Sequence, residues 1–219
     1  MQSLADDVKA EGFRHVVLLG MGGSSLGPEA LRQTFGSAPG YPELIVLDST
    51  VPAWVQAVSD AIDPKHTIFL VSSKSGSTTE PNVLYAYFRK SVEDAVGKAD
   101  AGQHFIAVTD AGTPLEKLAK DQGFRRAFAN PPEIGGRYSV LSYFGLVPAA
   151  LIGVDLLELM DRADGMREET GPSVPVRENP GAWLGAVMAT LTKRGRDKLT
   201  LVTSPSIGSF GLWVEQLIA

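Results

Sequence analysis

The chain has 219 residues, 44% of them hydrophobic and 21% charged, with a formal net charge of −5. That length and apolar content suit one large domain with a substantial core and exclude a disordered chain; the mild acidity offers nucleic acid no electrostatic footprint. Cysteine is absent, which excludes disulfides, thiolate catalysis and cysteine-based metal sites.

In chain order, short β-branched apolar runs predict strands at 15–20, 44–48, 67–72, 105–109, 126–129 and 199–203. Helical patterns fall between them at 28–35, 52–62, 78–96, 114–122, 140–152, 155–170, 180–193 and 207–219. Pro52 and Pro114 sit in the first turns of their helices, where a missing N–H is harmless. The run 140–152 is apolar nearly all round and is expected to be buried. It includes Ser142, Gly145 and Pro148 and is too short to span a bilayer. No basic region and no signal-type apolar run follow Met1. A soluble, cytoplasmic protein with no membrane partner is therefore expected. The cluster Lys193-Arg194-Gly195-Arg196 reads as a solvated helix end.

Strands alternating with helices give an α/β fold. The expectation is a three-layer αβα sandwich around a doubly wound, mainly parallel, Rossmann-like sheet of about five strands. Residues 1–219 read as a single domain, because the break at Gly171-Pro172-Ser173-Val174-Pro175 is too short for a linker. The final helix stops at Leu217-Ile218-Ala219 without a stop signal, as though cut within the element.

Two loops carry the chemistry. Gly20-Met21-Gly22-Gly23-Ser24-Ser25 follows the first strand. It admits three readings beside a plain strand-to-helix turn. As a dinucleotide fingerprint it has Gly20 and Gly22, with Asp48 as the ribose acid, but Ser25 stands where the third glycine belongs. As a Walker loop it lacks Gly-Lys-Ser. As a sugar-phosphate loop it offers the N–H groups of Gly23 and Ser24. The second loop follows the third strand and carries six hydroxyls in the eight positions from Ser72 to Thr79. Ser77 or Thr78 could cap the next helix, with Glu80 closing a capping box. A cap leaves Ser73, Lys74 and Ser75 unexplained. A phosphate at the helix N-terminus, held by Ser73, Ser75 and Thr78, explains them.

A third element, Ile134-Gly135-Gly136-Arg137-Tyr138-Ser139, precedes the buried helix. The glycine pair permits close backbone approach and Arg137 offers a fork of donors to an oxyanion; the alternative is a surface arginine after a loop. His15, His66 and His104 each open a strand, at the end of the sheet opposite these loops, and read as structural.

In order and spacing, Gly20 to Pro28, Ser73 to Glu80, Gly135-Gly136-Arg137-Tyr138-Ser139, and Gly211-Leu212-Trp213 through Gln216 resemble the phosphoglucose isomerase (glucose-6-phosphate isomerase) family. The resemblance covers essentially the whole chain, and its most specific piece is the Gly-Gly-Arg-Tyr-Ser segment before a buried helix. It extends to the isomerase part of fused transaldolase–phosphoglucose isomerases. It implies that residues 1–219 are the first of two sugar-isomerase (SIS) domains. It implies aldose–ketose isomerisation of glucose 6-phosphate and fructose 6-phosphate through a cis-enediolate, with no metal or redox cofactor. Ser73, Ser75 and Thr78 would bind the phosphate with Lys74 in the same loop. Gly23 and Ser24 would border the sugar, Arg137 would stabilise the enediolate, and Gln216 would contact substrate.

The family's general-base glutamate follows this glutamine by a few residues, past Ala219; Glu215 precedes it, and the role does not transfer. The family's ring-opening histidine and a further lysine belong to the second domain. The chain is therefore expected to be inactive alone and to work with a second SIS domain, as a homodimer. Two alternatives stand beside this: a non-catalytic sugar-phosphate sensor, and an NAD-binding domain resting on Asp48.

Overall fold

Five apolar runs pair as one parallel sheet in the computed structural model, which describes residues 1–218. The strands are β1 (His15–Gly20), β2 (Glu43–Leu47), β3 (Thr67–Ser72), β4 (Phe105–Asp110) and β5 (Arg126–Asn130). Their order is β2-β1-β3-β4-β5, and every neighbouring pair is parallel. β3 and β4 are buried at every residue, while the edge strands β2 and β5 are partly exposed. Unbroken apolar strands are what a parallel sheet covered on both faces requires.

The helices are α1 (Gln2–Ala10), α2 (Leu26–Phe35), α3 (Pro52–Ala61), α4 (Thr79–Val96), α5 (Pro114–Asp121), α6 (Tyr143–Leu151), α7 (Leu156–Glu169), α8 (Pro180–Lys193) and α9 (Phe210–Ile218). The chain divides into two compact units, Met1–Val154 with Pro205–Ala219, and Asp155–Ser204.

The first unit holds the sheet. Side chains alternate across a strand, so each strand feeds two cores. Val17, Leu19, Phe69, Val71, Phe105 and Ala107 pack with Val58 of α3, Leu84, Phe88 and Val92 of α4, and Leu115 of α5. Phe69 is the hub of this layer, stacked on Phe88 at 4.8 Å and on Phe105 at 5.3 Å between ring centroids. The alternate residues face α1, α2 and α6, and α6 is buried along almost its whole length. The result is the expected three-layer α/β sandwich.

The second unit is built from α7 and α8. Asp155 caps α7, its Oδ1 accepting from the N–H groups of Leu157 and Glu158 at 3.0 Å each. Buried Asn179 caps α8 by accepting from Ala182 N–H at 2.9 Å and donates its own amide to the Thr170 carbonyl at 3.0 Å. One residue thereby joins the end of one helix to the start of the next.

Two local expectations are corrected, and one helix is added. Residues 199–203 form no strand: Leu199 is 56% and Val202 94% exposed. β propensity needs a ladder partner, and among the described residues this unit contains only helices and irregular chain. The expected helix 140–152 is two pieces. A 3₁₀ turn, Gly136–Leu141, ends at Ser142, whose hydroxyl accepts from Phe144 N–H and starts α6 afresh. α1 was not foreseen; it is short and polar, and only Leu4, Ala5 and Val8 turn inward.

The topology fixes where a ligand can sit. The chain runs outward from β1 to edge strand β2, then returns past β1 to β3 and onward to β5. The loops after β1 and β3 thus leave adjacent strands toward opposite faces of the sheet. That opens a crevice beyond the carboxyl ends, at the point where the winding reverses. Gly20, the last residue of β1, is in register with Ser72, the last of β3.

Candidate functional site

The loop after β1 tightens into a 3₁₀ turn, Gly22–Ser24. Ser25 is buried, and its hydroxyl donates to the Gly22 carbonyl at 3.1 Å. Where a dinucleotide fingerprint has its third glycine, this chain therefore has a hydroxyl that stabilises the turn itself. Asp48, the acid that reading needs, is exposed beyond β2.

The loop after β3 is held by an extension of the sheet. Ser73 N–H donates to the Val108 carbonyl at 3.0 Å and Asp110 N–H to the Lys74 carbonyl at 3.1 Å, so the β3–β4 ladder continues past the strand ends. Ser73 is only 2% exposed, and its hydroxyl donates to Thr78 Oγ1 at 3.2 Å, bracing the loop from beneath. Gly76 then turns the chain with φ of +65°, a conformation that side chains disfavour. Ser75 is exposed at the rim, its Oγ accepting from Ser77 N–H at 3.3 Å. Thr78 occupies the N-cap position of α4, yet its side chain makes no capping hydrogen bond. The capping alternative is therefore not what the hydroxyls of this loop do. The first-turn N–H groups of an 18-residue helix are left without a side-chain cap, beyond the carboxyl end of β3.

The Gly135–Gly136 element closes the third side. Ser139 Oγ lies 2.7 Å from the Gly136 carbonyl and 3.3 Å from the Gly23 carbonyl. The two backbones approach so closely that a Cβ on Gly23 would overlap the Gly136 carbonyl.

Between these loops lies a cavity of about 350 Å³, lined by Met21, Gly23, Ser24, Lys74, Ser75, Thr78, Asp110 and Gly136. Five of the residues singled out from the sequence thus meet around one space: Gly23, Ser24, Lys74, Ser75 and Thr78. Ser73 lies beneath it. Arg137 follows the lining residue Gly136 and is exposed, with no carboxylate partner among the described residues. Gln216 sits on α9 with its amide nitrogen against Gly22: a Cβ built there would lie 2.9 Å from Nε2.

Asp110 lines the cavity and was not singled out from the sequence. Its Oδ2 forms an ion pair with Lys74 Nζ, which also donates to the Pro132 carbonyl at 2.9 Å. An acid at the carboxyl end of a strand beside the hydroxyl loop was the available signal.

The histidines are remote from this edge. His104 is buried with Nδ1 at 3.1 Å from the Thr67 carbonyl, His66 pairs with Asp63 at 2.7 Å, and His15 opens β1. All three stand at the amino ends of the strands. A larger cavity, about 640 Å³, runs beside α5 and β5. It receives no residue from the loops after β1 or β3, and two of its basic groups are already paired, Lys117 with Asp121 and Arg125 with Glu11.

The groups around the smaller cavity are of the kind that can hold an anion. They are open helix N–H groups, the hydroxyls of Ser75 and Thr78, and one ammonium, and the one lining carboxylate is already paired.

A family model described as phosphoglucose isomerase matches residues 7–185. The glucose-6-phosphate isomerase of Staphylococcus saprophyticus is 35% identical over 208 residues, covering 92% of this chain and 46% of that protein. Its counterpart from Parabacteroides distasonis is 31% identical over 212 residues, covering 92% and 47%. Among solved structures, a glucose-6-phosphate isomerase from Chlamydia trachomatis superposes with a TM-score of 0.84 at 26% identity, over 98% of this chain and 41% of that one. A hypothetical protein from Thermus thermophilus gives 0.85 at 30% identity, over 97% and 51%. The chain spans about half the length of the curated relatives it matches. Among the described residues, no helix is long and apolar enough to cross a membrane.

Proposed function

The chain belongs to the phosphoglucose isomerase family, and on that premise we propose that the crevice between β1 and β3 is the phosphate grip of an aldose–ketose isomerase. Its substrates in this reading are glucose 6-phosphate and fructose 6-phosphate. The phosphate takes hydrogen bonds from Ser75 and Thr78 and from the first-turn N–H groups of α4, with Lys74 beside it. Gly23 and Ser24 border the sugar, and Gln216 reaches it from α9. Ser73 serves by holding Thr78.

The reaction moves a proton between C2 and C1 through a cis-enediolate, and negative charge grows on the enediolate oxygens. A fixed guanidinium near those oxygens lowers the barrier because its charge needs no reorganisation as the reaction proceeds. Arg137 takes that role in this reading; in its support, Arg137 has no carboxylate partner among the described residues and is one residue from the cavity wall.

Proton transfer is assigned to groups outside residues 1–219. Supporting this, the carboxylate that lines the cavity is held by Lys74, and the histidines stand at the far end of the sheet. A second SIS domain and a dimer partner would supply the rest, in keeping with relatives about twice as long. The chain by itself is then a binding half without turnover.

The observation that carries this reading is the uncapped N-terminus of α4 with Ser75 and Thr78 around it. Calorimetry tests it. Fructose 6-phosphate should bind, and the double variant Ser75→Ala, Thr78→Ala should weaken binding by at least about tenfold, since hydrogen bonds to a charged group contribute ~1.5–3 kcal/mol each. Binding of NADH in place of the sugar phosphate would overturn the reading.

A further inference from the structure

We propose that Asp110 is a positioning residue of this site, setting the phosphate loop against the segment that carries Arg137. The inference rests on the sugar-phosphate reading above and goes beyond it, because Asp110 acts through Lys74 and touches no reacting atom.

Four contacts converge on the pair. Asp110 Oδ2 holds Lys74 Nζ, and Nζ donates to the Pro132 carbonyl at 2.9 Å. The Lys74 carbonyl accepts from Asp110 N–H at 3.1 Å and from Thr109 Oγ1 at 3.3 Å. Pro132 lies five residues before Arg137 in an irregular stretch that has little regular structure to fix it. The ammonium therefore ties three pieces of chain together: the loop after β3, the end of β4, and the approach to the Gly135–Gly136 turn.

The chemistry of each group fits a bridge. An ammonium has three donors in tetrahedral array. Two are committed to Asp110 and Pro132, and the third is left for the cavity that Lys74 lines. A carboxylate lining a cavity that takes phosphate is unfavourable unless a cation offsets its charge, and Asp110 is paired with Lys74. The second oxygen, Asp110 Oδ1, is buried without a hydrogen-bond partner among the described residues. A carboxylate kept only to stabilise the fold would be expected to satisfy both oxygens. This one is held on one side, by the residue that faces the ligand.

A ligand that uses only the phosphate loop does not depend on this bridge. A ligand that spans the loop and Arg137 does. The test compares inorganic phosphate with arabinonate 5-phosphate, a phosphorylated aldonate whose carboxylate stands in for the enediolate, on the full chain by calorimetry. In Asp110→Ala, aldonate phosphate binding should weaken by about tenfold, the scale of one charge-assisted contact. Inorganic phosphate should not weaken by more than about twofold, because Lys74 keeps its charge and loses the carboxylate that offsets it. Asp110→Asn, which retains an acceptor for Nζ and the side-chain shape, should restore part of the loss. In an Arg137→Ala background the effect of Asp110→Ala on the aldonate should fall within about twofold, because nothing remains to be positioned.

Equal weakening of both ligands, or an undiminished effect in the Arg137→Ala background, would overturn the proposal while leaving the phosphate site intact. Should Asp110→Ala not fold, the same comparison with Asp110→Asn decides, with a smaller but still aldonate-specific loss expected. Wild-type protein that binds neither ligand would remove the site reading, and this proposal with it.

Discussion

The Ser139 hydroxyl lies 3.3 Å from the Gly23 carbonyl, joining the glycine turn after β1 to the Gly136–Leu141 turn 116 residues later. Two loops that are remote in sequence become one wall of the cavity through this contact and the backbone approach beside it.

Gly23→Ala should break that wall. Its Cβ would overlap backbone, the Gly136 carbonyl, which cannot step aside as a side-chain tip can. Overpacking of this kind costs about 1–3 kcal/mol. A lower thermal midpoint together with lost sugar-phosphate binding is expected. Gly136→Ala has open space around its Cβ and should be tolerated.

Arg137→Ala should do the opposite. The side chain is exposed and without a carboxylate partner among the described residues, so stability should change by less than about 0.5 kcal/mol. Inorganic phosphate should bind as before, while the aldonate phosphate should bind more weakly. Unchanged aldonate affinity would remove Arg137 from its proposed role.

Phe69→Ala tests the core. Phe69 is fully buried between Phe88 and Phe105, and truncation there should cost about 3–5 kcal/mol. Urea denaturation reads this directly, and a loss under about 1 kcal/mol would mean that the layer repacks easily.

Acid should release one long-range tie. Two hydrogen bonds of 2.7 Å from the Arg125 guanidinium to Glu11 hold that carboxyl below its ordinary value of 4.5, against an opposing push from partial burial. The folded value is the lower one, so the contribution is complete above about pH 4.5 and fades as pH falls through the folded value. Glu11 is 49% exposed, which limits the pair to under about 1 kcal/mol. The stability gap between wild type and Glu11→Gln should be present at neutral pH and shrink on acidification below about pH 4.5. A gap that grows there contradicts the assignment.

The sheet was legible because β1, β3 and β4 are apolar on both faces, a pattern that short parallel strands produce and surface strands do not. The hydroxyl loop was legible by composition, but the division of labour within it was not. Ser73 turns inward because the β3–β4 ladder runs on through its N–H, a fact of pairing with Val108. Asp110 escaped notice because its meaning lies in Lys74, distant in sequence. Residues 199–203 carry strand chemistry yet pair with no strand among the described residues, and local preference alone does not make a ladder.

Binding of a sugar phosphate beyond β1 and β3 is read residue by residue by amide NMR of the ¹⁵N-labelled chain titrated with fructose 6-phosphate. The largest shifts are expected at the N–H groups of residues 22–24 and 75–80, with Ser73 and the β5 edge little changed. Shifts centred on Asp48 and the end of β2, or on the groove beside α5 and β5, would contradict binding there.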